Sequence, residues 1–196
     1  MTSKPQSSLP AEPPVSALHA IELALSPAES TLSPIDRLVA MRMVLYAFCA
    51  IVRSLSTVSP ELFRVIASGL ARFLAQDFVR IVTEEQDGLL VYLRRRLMLG
   101  DELDTLIGHL QDEHRQDCEQ ARILSGRCRE FASGVDTDWP EILEGLSVFA
   151  EQQRRHLIWE DATILPVARE RLLPDDLERW NAEMAQRYQL VMCEPH

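Results

Sequence analysis

The sequence predicts an all-α protein, arranged as an antiparallel up-down four-helix bundle. No stretch alternates apolar and polar residues with a period of two, so no strand is expected. Only seven of the 196 residues are glycine, and the breaks between apolar segments carry helix caps and prolines. Four long helical segments with short links favour antiparallel neighbours.

The chain divides into a flexible N-terminal segment, residues 1–32, and a helical domain, residues 33–196. Residues 1 to about 14 are rich in serine and proline, a composition typical of disorder. One short helix from Val15 to Leu25 is expected before Pro27. The helical domain comprises the bundle and a short C-terminal helix.

The first two long helices begin at serine–proline pairs. The first is predicted from about Ser33 to Ser56, with Pro34 in the first turn, where a missing N–H costs nothing. The second is predicted from Ser59-Pro60-Glu61 to about Leu97. Its length leads us to expect a kink near Gly69 or Gly88.

The remaining helices follow from similar signals. Gly100-Asp101-Glu102 should cap a third long helix that continues to about Ala132. Asp138-Trp139-Pro140-Glu141 should begin a fourth, disturbed at Pro166 and ended by Pro174. Asp175 should cap the last helix, which reaches about Leu190.

Composition and charge narrow the class of protein. The net charge of −10 argues against nucleic-acid binding, which requires a basic surface. Neither a signal peptide nor a run of 18 apolar residues is visible, so no membrane span is expected. The four cysteines form no Cys-x-x-Cys pair and fit a reducing compartment. We therefore predict a cytoplasmic protein.

Each long helix carries an inner apolar stripe interrupted by polar residues. The polar residues are Arg42, Glu85, His114, His156 and Glu160. A buried charge without a partner is very costly, so these side chains should meet. His156 and Glu160 lie one turn apart on one face and can reach the same ion, and imidazole with carboxylate suits iron, manganese or zinc. By itself a His-x-x-x-Glu pair is weak evidence for a metal site, because such pairs are common on helix surfaces and a structural hydrogen bond explains most of them.

The full predicted stripes, from the first helix to the fourth, are Leu38, Arg42, Leu45, Cys49, Val52; Leu62, Ile66, Gly69, Phe73, Asp77, Ile81, Glu85, Gly88, Tyr92; Leu103, Ile107, Leu110, His114, Asp117, Ala121, Leu124, Cys128; and Ile142, Leu146, Phe149, Gln153, His156, Glu160, Thr163, Val167. His19, His109 and His196 lie outside these stripes and are not expected to be ligands.

Three motifs resemble those of the hemerythrin-like, or HHE cation-binding, family. The run HLIWEDATILP, His156 to Pro166, is similar to the family's His-x-x-x-Glu-Glu followed by Leu-Phe-Pro. Asp112-Glu113-His114 is similar to its Glu-His. The run from Phe73 to Val91 echoes the first motif and places Glu85 on Glu160. The likeness covers about residues 33–171.

This resemblance implies a four-helix bundle around a non-haem di-iron site, with roles in oxygen or nitric oxide binding, redox or iron sensing, or iron handling. The chain departs from the family at two ligand positions. Ile81 stands where a histidine would precede Glu85, and Arg42 stands where the first helix would supply a histidine. Leu110, one turn before His114, is not a ligand either. The ligands of one iron are lost, whereas Glu85, His114, His156 and Glu160 are kept for the other.

Two interpretations of the altered site follow. In one, the four kept residues hold a single Fe, Mn or Zn ion. In the other, no metal remains and the Arg42 guanidinium fills the vacated position, bidentate to one carboxylate and through one N–H to the other. We favour metal-free or weak metal binding, because a cation already occupies the cavity.

Three functions remain open. The first is a metal or redox sensor, or a binder of a small diatomic ligand. The second is an interaction module, such as a homodimer formed through the helix face that carries Trp159 and Leu157. The third, a hydrolase or oxidase, is least supported because no nucleophile or glycine-rich anion loop accompanies the pair, so no enzyme is predicted.

Overall fold

The computed structural model describes residues 32–135 and 138–192, with side chains as far as Arg187. Within these ranges the chain is all-α, without strands. The predicted helix from Val15 to Leu25 lies outside the described residues. The helices are α1, Pro34–Ser54, followed by a 3₁₀ turn, Leu55–Thr57; α2, residues 60–94; α3, Leu103–Ser133; α4, Trp139–Arg171; and α5, Pro174–Met192.

Side-chain caps begin three of the helices as the sequence predicts. The Ser33 hydroxyl accepts the N–H of Asp36 at the start of α1, and Ser59 accepts that of Leu62 at the start of α2. Asp138 caps α4 in the same way. A proline follows each cap within the first turn, where its fixed φ favours the helix.

Two π-helical turns, Phe73–Asp77 and Glu85–Leu89, interrupt α2. The predicted irregularity at Gly88 coincides with the second of them. Gly69 itself lies in the regular segment Pro60–Arg72, and the first π-turn begins one helical turn after it. A π-turn inserts one extra residue and rotates the helix face that follows it.

This rotation displaces the inner stripe of the first half of α2. Leu62 is 52% exposed and Gly69 is also exposed, whereas Phe63 and Leu70, one position further on, are buried. From Ile81 onward the predicted stripe is correct. On α1 and α3 every predicted stripe residue is buried.

The junction of the last two helices differs from the prediction. α4 continues past Pro166, as predicted, and ends at Arg171. Pro174 is the first residue of α5 rather than the end of α4. The cap contact of α5 comes from Asp176, not Asp175: the Asp176 carboxylate accepts the N–H of Leu173. A side chain three residues into the helix thus reaches back to the cap position.

Contacts between helices run in opposite sequence order. As residue numbers rise along α3, the residue numbers of the contact partners on α4 fall. The same reversed order is found between α1 and α4 and between α2 and α3. The pairs are Glu113–His156, Asp117–Gln152 and Arg127–Glu141; Asp36–Arg169, Arg42–Leu157 and Arg53–Glu151; Ala71–Ser125, Glu85–His114 and Arg94–Asp104. These helices therefore lie antiparallel to one another.

Two apolar clusters form the core, and each long helix contributes to both. One cluster includes Phe48, Phe63 and Phe149, and the other includes Ile107, Leu165 and Trp180. The change from one cluster to the other falls at or next to a buried polar residue on each helix. The pairs are Leu38 and Met41 just before Arg42, Ile81 and Leu89 around Glu85, Leu110 and Ala121 around His114, and Leu157 and Ile164 around Glu160. The polar residues thus form a layer across the core.

The segment Pro34–Thr57 has the length and hydropathy of a membrane-spanning helix, which the sequence analysis did not anticipate. Its mean hydropathy is 1.8 over the most apolar window. A core helix of a soluble protein meets the same criteria, so this is weak evidence for a membrane span. Arg37 and Arg42 on this helix are buried against side chains of α5, α2 and α4.

Candidate functional site

The structure brings the four predicted site residues together with Arg42, and we call these five residues the polar layer. Glu85, His114 and Glu160 are at most 3% exposed, and the His156 side chain is 8% exposed. Nε2 of His114 lies 3.4 Å from Oε2 of Glu85 and 3.8 Å from Oε1 of Glu160. Nε2 of His156 lies 3.3 Å from the same Glu160 oxygen. The helices therefore converge at one buried point.

Glu85 reaches this point from the first residue of a π-turn. The wider turn changes the direction of the residues that follow it. Gly88 in the same turn lets the indole of Trp180 approach closely, since a Cβ there would lie 2.0 Å from the indole nitrogen. The irregular backbone thus places a carboxylate in the polar layer and seats α5 against α2.

Arg42 bridges the two buried carboxylates. Its Nη1 donates to Oε1 of Glu85 at 2.7 Å and to Oε2 of Glu160 at 2.5 Å. Its Nη2 donates to the carbonyl oxygen of Leu157 at 3.0 Å. The predicted contact of Arg42 with both carboxylates is confirmed, but the bidentate arrangement is wrong. Nη1 donates to both carboxylates, because Nη2 donates to the Leu157 carbonyl oxygen and to the Asp161 carboxylate.

Asp161 is a third acidic partner that the sequence analysis missed. Its Oδ1 accepts Nη2 of Arg42 at 2.8 Å, and its Oδ2 accepts the Tyr46 hydroxyl at 2.8 Å. The Asp161 side chain is 42% exposed, so this pair lies at the edge of the buried cluster. The signal that could have found it is an acid directly after Glu160, at the second acidic position of His-x-x-x-Glu-Glu.

Charge pairing sets the protonation of the Arg42 cluster. Burial acts to lower the pKa of Arg42, but Glu85, Glu160 and Asp161 outweigh it and raise the pKa further above its usual range. Burial also acts to raise the pKa of Glu160, yet the contact with His156 and the Arg42 charge hold it below its ordinary value. Burial and the nearby Glu160 raise the pKa of Glu85. Glu160 is therefore the more firmly ionised of the two.

The pKa values of the two histidines are shifted in opposite directions. Burial lowers the pKa of His114 to about 4, with His156 and Arg42 adding to this effect. Burial acts in the same direction on His156, but Glu160, Glu85 and Asp117 outweigh it and raise the pKa to about 9. The two Nε2 atoms lie 3.1 Å apart. In the absence of an ion, one of these nitrogens carries a proton that the other accepts.

Outside the polar layer, carboxylates of α3 support the imidazole of His156. Nδ1 of His156 lies 3.1 Å from Oε2 of Glu113. Asp117 is buried one turn further on and accepts the side-chain amide of Gln152 at 3.0 Å. A carboxylate on one imidazole nitrogen leaves the other nitrogen free to act as a ligand, an arrangement common in metal sites.

Three buried atoms of the polar layer have no hydrogen-bond partner: Nε of Arg42, Nδ1 of His114 and Oε1 of Glu160. Unsatisfied buried polar atoms are costly and require an explanation. His114, His156 and Glu160 each offer a ligand atom, and these atoms lie within 4.8 Å of one another. This group could hold a metal ion, which would satisfy the Glu160 oxygen.

The other predicted residues occupy different positions. Ile81 and Leu110 are buried apolar residues, as expected for lost ligand positions. His109 lines a cavity beside the site, whereas His19 and His196 lie outside the described residues. Trp159 is 38% exposed, but Leu157 is only 1% exposed. The predicted apolar surface that joins Trp159 with Leu157 is therefore wrong for Leu157, because α4 turns this side chain into the core.

The fold and the site define an all-α protein with a buried imidazole–carboxylate group able to hold a metal ion. Comparison with known proteins adds no relative: no protein-family model, no curated protein and no solved structure matches the chain.

Proposed function

We propose that this chain is a hemerythrin-like protein: an up-down four-helix bundle with a single-metal centre that senses redox state or binds a small ligand such as dioxygen or nitric oxide. His114, His156 and Glu160 would hold the ion, and Glu85 would complete its protein ligands. The antiparallel contacts of α1 to α4 and the order of the three motifs support this arrangement. The observation that carries the proposal is the buried Oε1 of Glu160, which has no hydrogen bond and lies 3.3 Å and 3.8 Å from the Nε2 atoms of His156 and His114.

The distances within the donor group fit a common ion. Metal–nitrogen bonds of about 2.1 Å separate two neighbouring ligand atoms by roughly 2.9–3.4 Å. The two Nε2 atoms are 3.1 Å apart, and the Glu160 oxygen is 3.3 Å from His156. The distance of 3.8 Å to His114 is slightly longer. Small side-chain adjustments suffice to bring all three atoms into coordination.

Arg42 takes the place of a second metal in this proposal. Its guanidinium contacts both Glu85 and Glu160, the carboxylates that would bridge two irons in the family. With a divalent ion present, that ion and Arg42 together carry three positive charges, which balance ionised Glu85, Glu160 and Asp161. A neutral buried cluster avoids the large penalty for an uncompensated charge. One fixed cation and one exchangeable cation are therefore compatible in the same layer.

When bound, an iron, manganese or zinc ion supplies Lewis acidity and an open coordination position, and iron also supplies redox chemistry. The residues of the chain orient the site. Glu113 holds the His156 ring, Arg42 fixes the Glu160 carboxylate, and the apolar clusters on both sides exclude water. Tight enclosure favours a small ligand over a large one.

Metal analysis of protein purified without a histidine tag, after anaerobic ferrous loading, tests the proposal. We expect about one ion per chain for the wild type and less than about a tenth of an ion for His156→Ala, because ligand loss removes the binding free energy. The matched control is His109→Ala, which alters a nearby histidine outside the donor group. A wild-type content below about a tenth of an ion would reject the metal centre.

A second candidate is a metal-free interaction module, and the Arg42 contacts favour it specifically. Arg42 already donates to both buried carboxylates, so the layer contains a cation without an added ion. Ile158 and Trp159 on α4 are 48% and 38% exposed and offer an apolar contact for a second copy. Light scattering, which measures the molar mass in solution, tests this candidate. A wild-type dimer that Trp159→Glu converts to a monomer, in protein that contains no metal, supports the module over the metal centre.

A further inference from the structure

A cavity of about 540 Å³ lies between α3 and α4 beside the polar layer, and we call it the groove. Its lining includes Glu113 and Asp117 from α3 and Gln152, His156 and Trp159 from α4. Among the proposed ligands only His156 lines the groove, because Glu85, His114 and Glu160 are enclosed by the core. The His156 ring therefore separates the groove from the buried donor atoms.

On the opposite side of the polar layer the donors of Arg42 are occupied. Nη1 and Nη2 of Arg42 are bound by Glu85, Glu160 and the Leu157 carbonyl. Beyond them the Asp161 carboxylate is bound by Tyr46. The apolar clusters close the layer along the helix axes. Of the four proposed ligands, a solute in the groove can contact only His156.

The groove offers oxygen ligands to a cation. Glu113 and Asp117 line it with carboxylates, and Gln116 and Gln152 add amide oxygens. Among the described residues of the lining, Arg155 is the one arginine, and its side chain is 71% exposed, 3.9 Å from Glu151. Oxygen ligands suit a divalent ion that has kept part of its water shell.

We propose that the groove is the access route for a divalent cation and that the His156 ring, held by Glu113, closes its inner end. An ion first meets the oxygen atoms of Glu113 and Asp117. It then passes to the buried donor atoms when the contact of 3.1 Å between Glu113 and Nδ1 of His156 opens and the ring turns. This inference rests on the proposed metal centre.

Stopped-flow measurement of Co²⁺ uptake, and of its removal by a chelator, tests the route. Gln116→Trp places a large side chain in the groove without altering a proposed ligand. We expect uptake and removal both to slow by about tenfold, equivalent to about 1.4 kcal/mol of added barrier. The stoichiometry and the equilibrium affinity should stay within about twofold of the wild type, because a barrier changes both rates equally.

The matched control is Ile123→Trp, an exposed position on α3 outside the groove lining, which should exchange Co²⁺ at the wild-type rate. Leu106→Trp, also in the lining, repeats the test should Gln116→Trp fail to fold. Co²⁺ binding with unchanged rates in both groove variants would overturn the access route and leave the metal centre intact. A wild type that binds no Co²⁺ would overturn both.

Discussion

Nη1 of Arg42 lies 2.5 Å from Oε2 of Glu160, although the two residues are 118 positions apart in the sequence. Both side chains are buried, with 2% and 0% exposure. Desolvation of each charge is compensated only by the other and by the neighbouring partners of the layer. The contact therefore holds α1 against α4 at the centre of the core.

Substitution Arg42→Ala should lower the free energy of unfolding by roughly 3–5 kcal/mol, because it leaves buried carboxylates without a cation. Arg42→Lys should fall between wild type and Arg42→Ala, since an ammonium keeps the charge but cannot reproduce the donors of both guanidinium nitrogens. Urea unfolding followed by circular dichroism measures these values.

The matched control for this prediction is Arg53→Ala, on the same helix, where the side chain is 71% exposed. Its loss should change the free energy of unfolding by less than about 0.5 kcal/mol. Equal stability of Arg42→Ala and Arg53→Ala would contradict the role assigned to Arg42.

Gly88→Ala should destabilise the protein by roughly 1–3 kcal/mol, the usual cost of overpacking a core. A Cβ at Gly88 would lie 2.0 Å from the indole nitrogen of Trp180, so α5 would have to shift. Gly108→Ala is the control, since nothing lies within 4 Å of a Cβ there. On the interior of a helix it should instead stabilise by about 0.5–1 kcal/mol. Thermal unfolding that shows the same sign for both variants would argue against this packing.

The inner stripe was predicted better on α1 and α3 than on α2, for a physical reason. α3 is an uninterrupted helix of 31 residues, so a period of 3.6 assigns its buried face throughout, from Leu103 to Cys128. In α2 the π-turns add residues that no hydrophobic pattern marks. The stripe at Leu62 was therefore off by one residue, whereas Glu85 was assigned correctly.

Two features of the site were beyond reach of sequence periodicity. Asp161 lies beside Glu160 and is partly exposed, so the inner stripe excluded it, although its carboxylate binds Arg42. The geometry of Arg42 was also beyond prediction, because the Leu157 carbonyl that occupies Nη2 is a backbone group. Residue spacing identifies which side chains meet, but not how each donor is shared.

Asp176 should contribute stability at neutral pH that is lost in acid. The hydrogen bond from Arg96 lowers the pKa of this carboxyl below its ordinary value of 3.8. Burial acts in the opposite direction, and the hydrogen bond from the N–H of Leu173 adds to the lowering. A carboxyl whose pKa is lower in the folded than in the unfolded protein stabilises the fold at pH values above its pKa in the unfolded chain. This stabilisation is lost as the pH falls through its pKa in the folded protein. Wild type should therefore exceed Asp176→Asn in stability at pH 7, and the gap should narrow below about pH 3.8.

Urea titrations at several pH values measure this gap. Asp175→Asn controls for the loss of one negative charge at the same helix end, because Asp175 is exposed. A gap for Asp176→Asn that widens towards low pH would contradict the assigned pairing with Arg96.

Added metal should raise the melting temperature of the wild type if the three donor atoms bind an ion. A ligand that binds only the folded state at 100 times its Kd adds about 2.7 kcal/mol of stability. For a chain of this length that corresponds to a shift of about 5–10 °C. Scanning calorimetry with Co²⁺ should show this shift for wild type and for His109→Ala but not for His156→Ala. An equal shift in all three proteins would place the bound ion elsewhere on the chain, because only His156→Ala removes a donor from the polar layer.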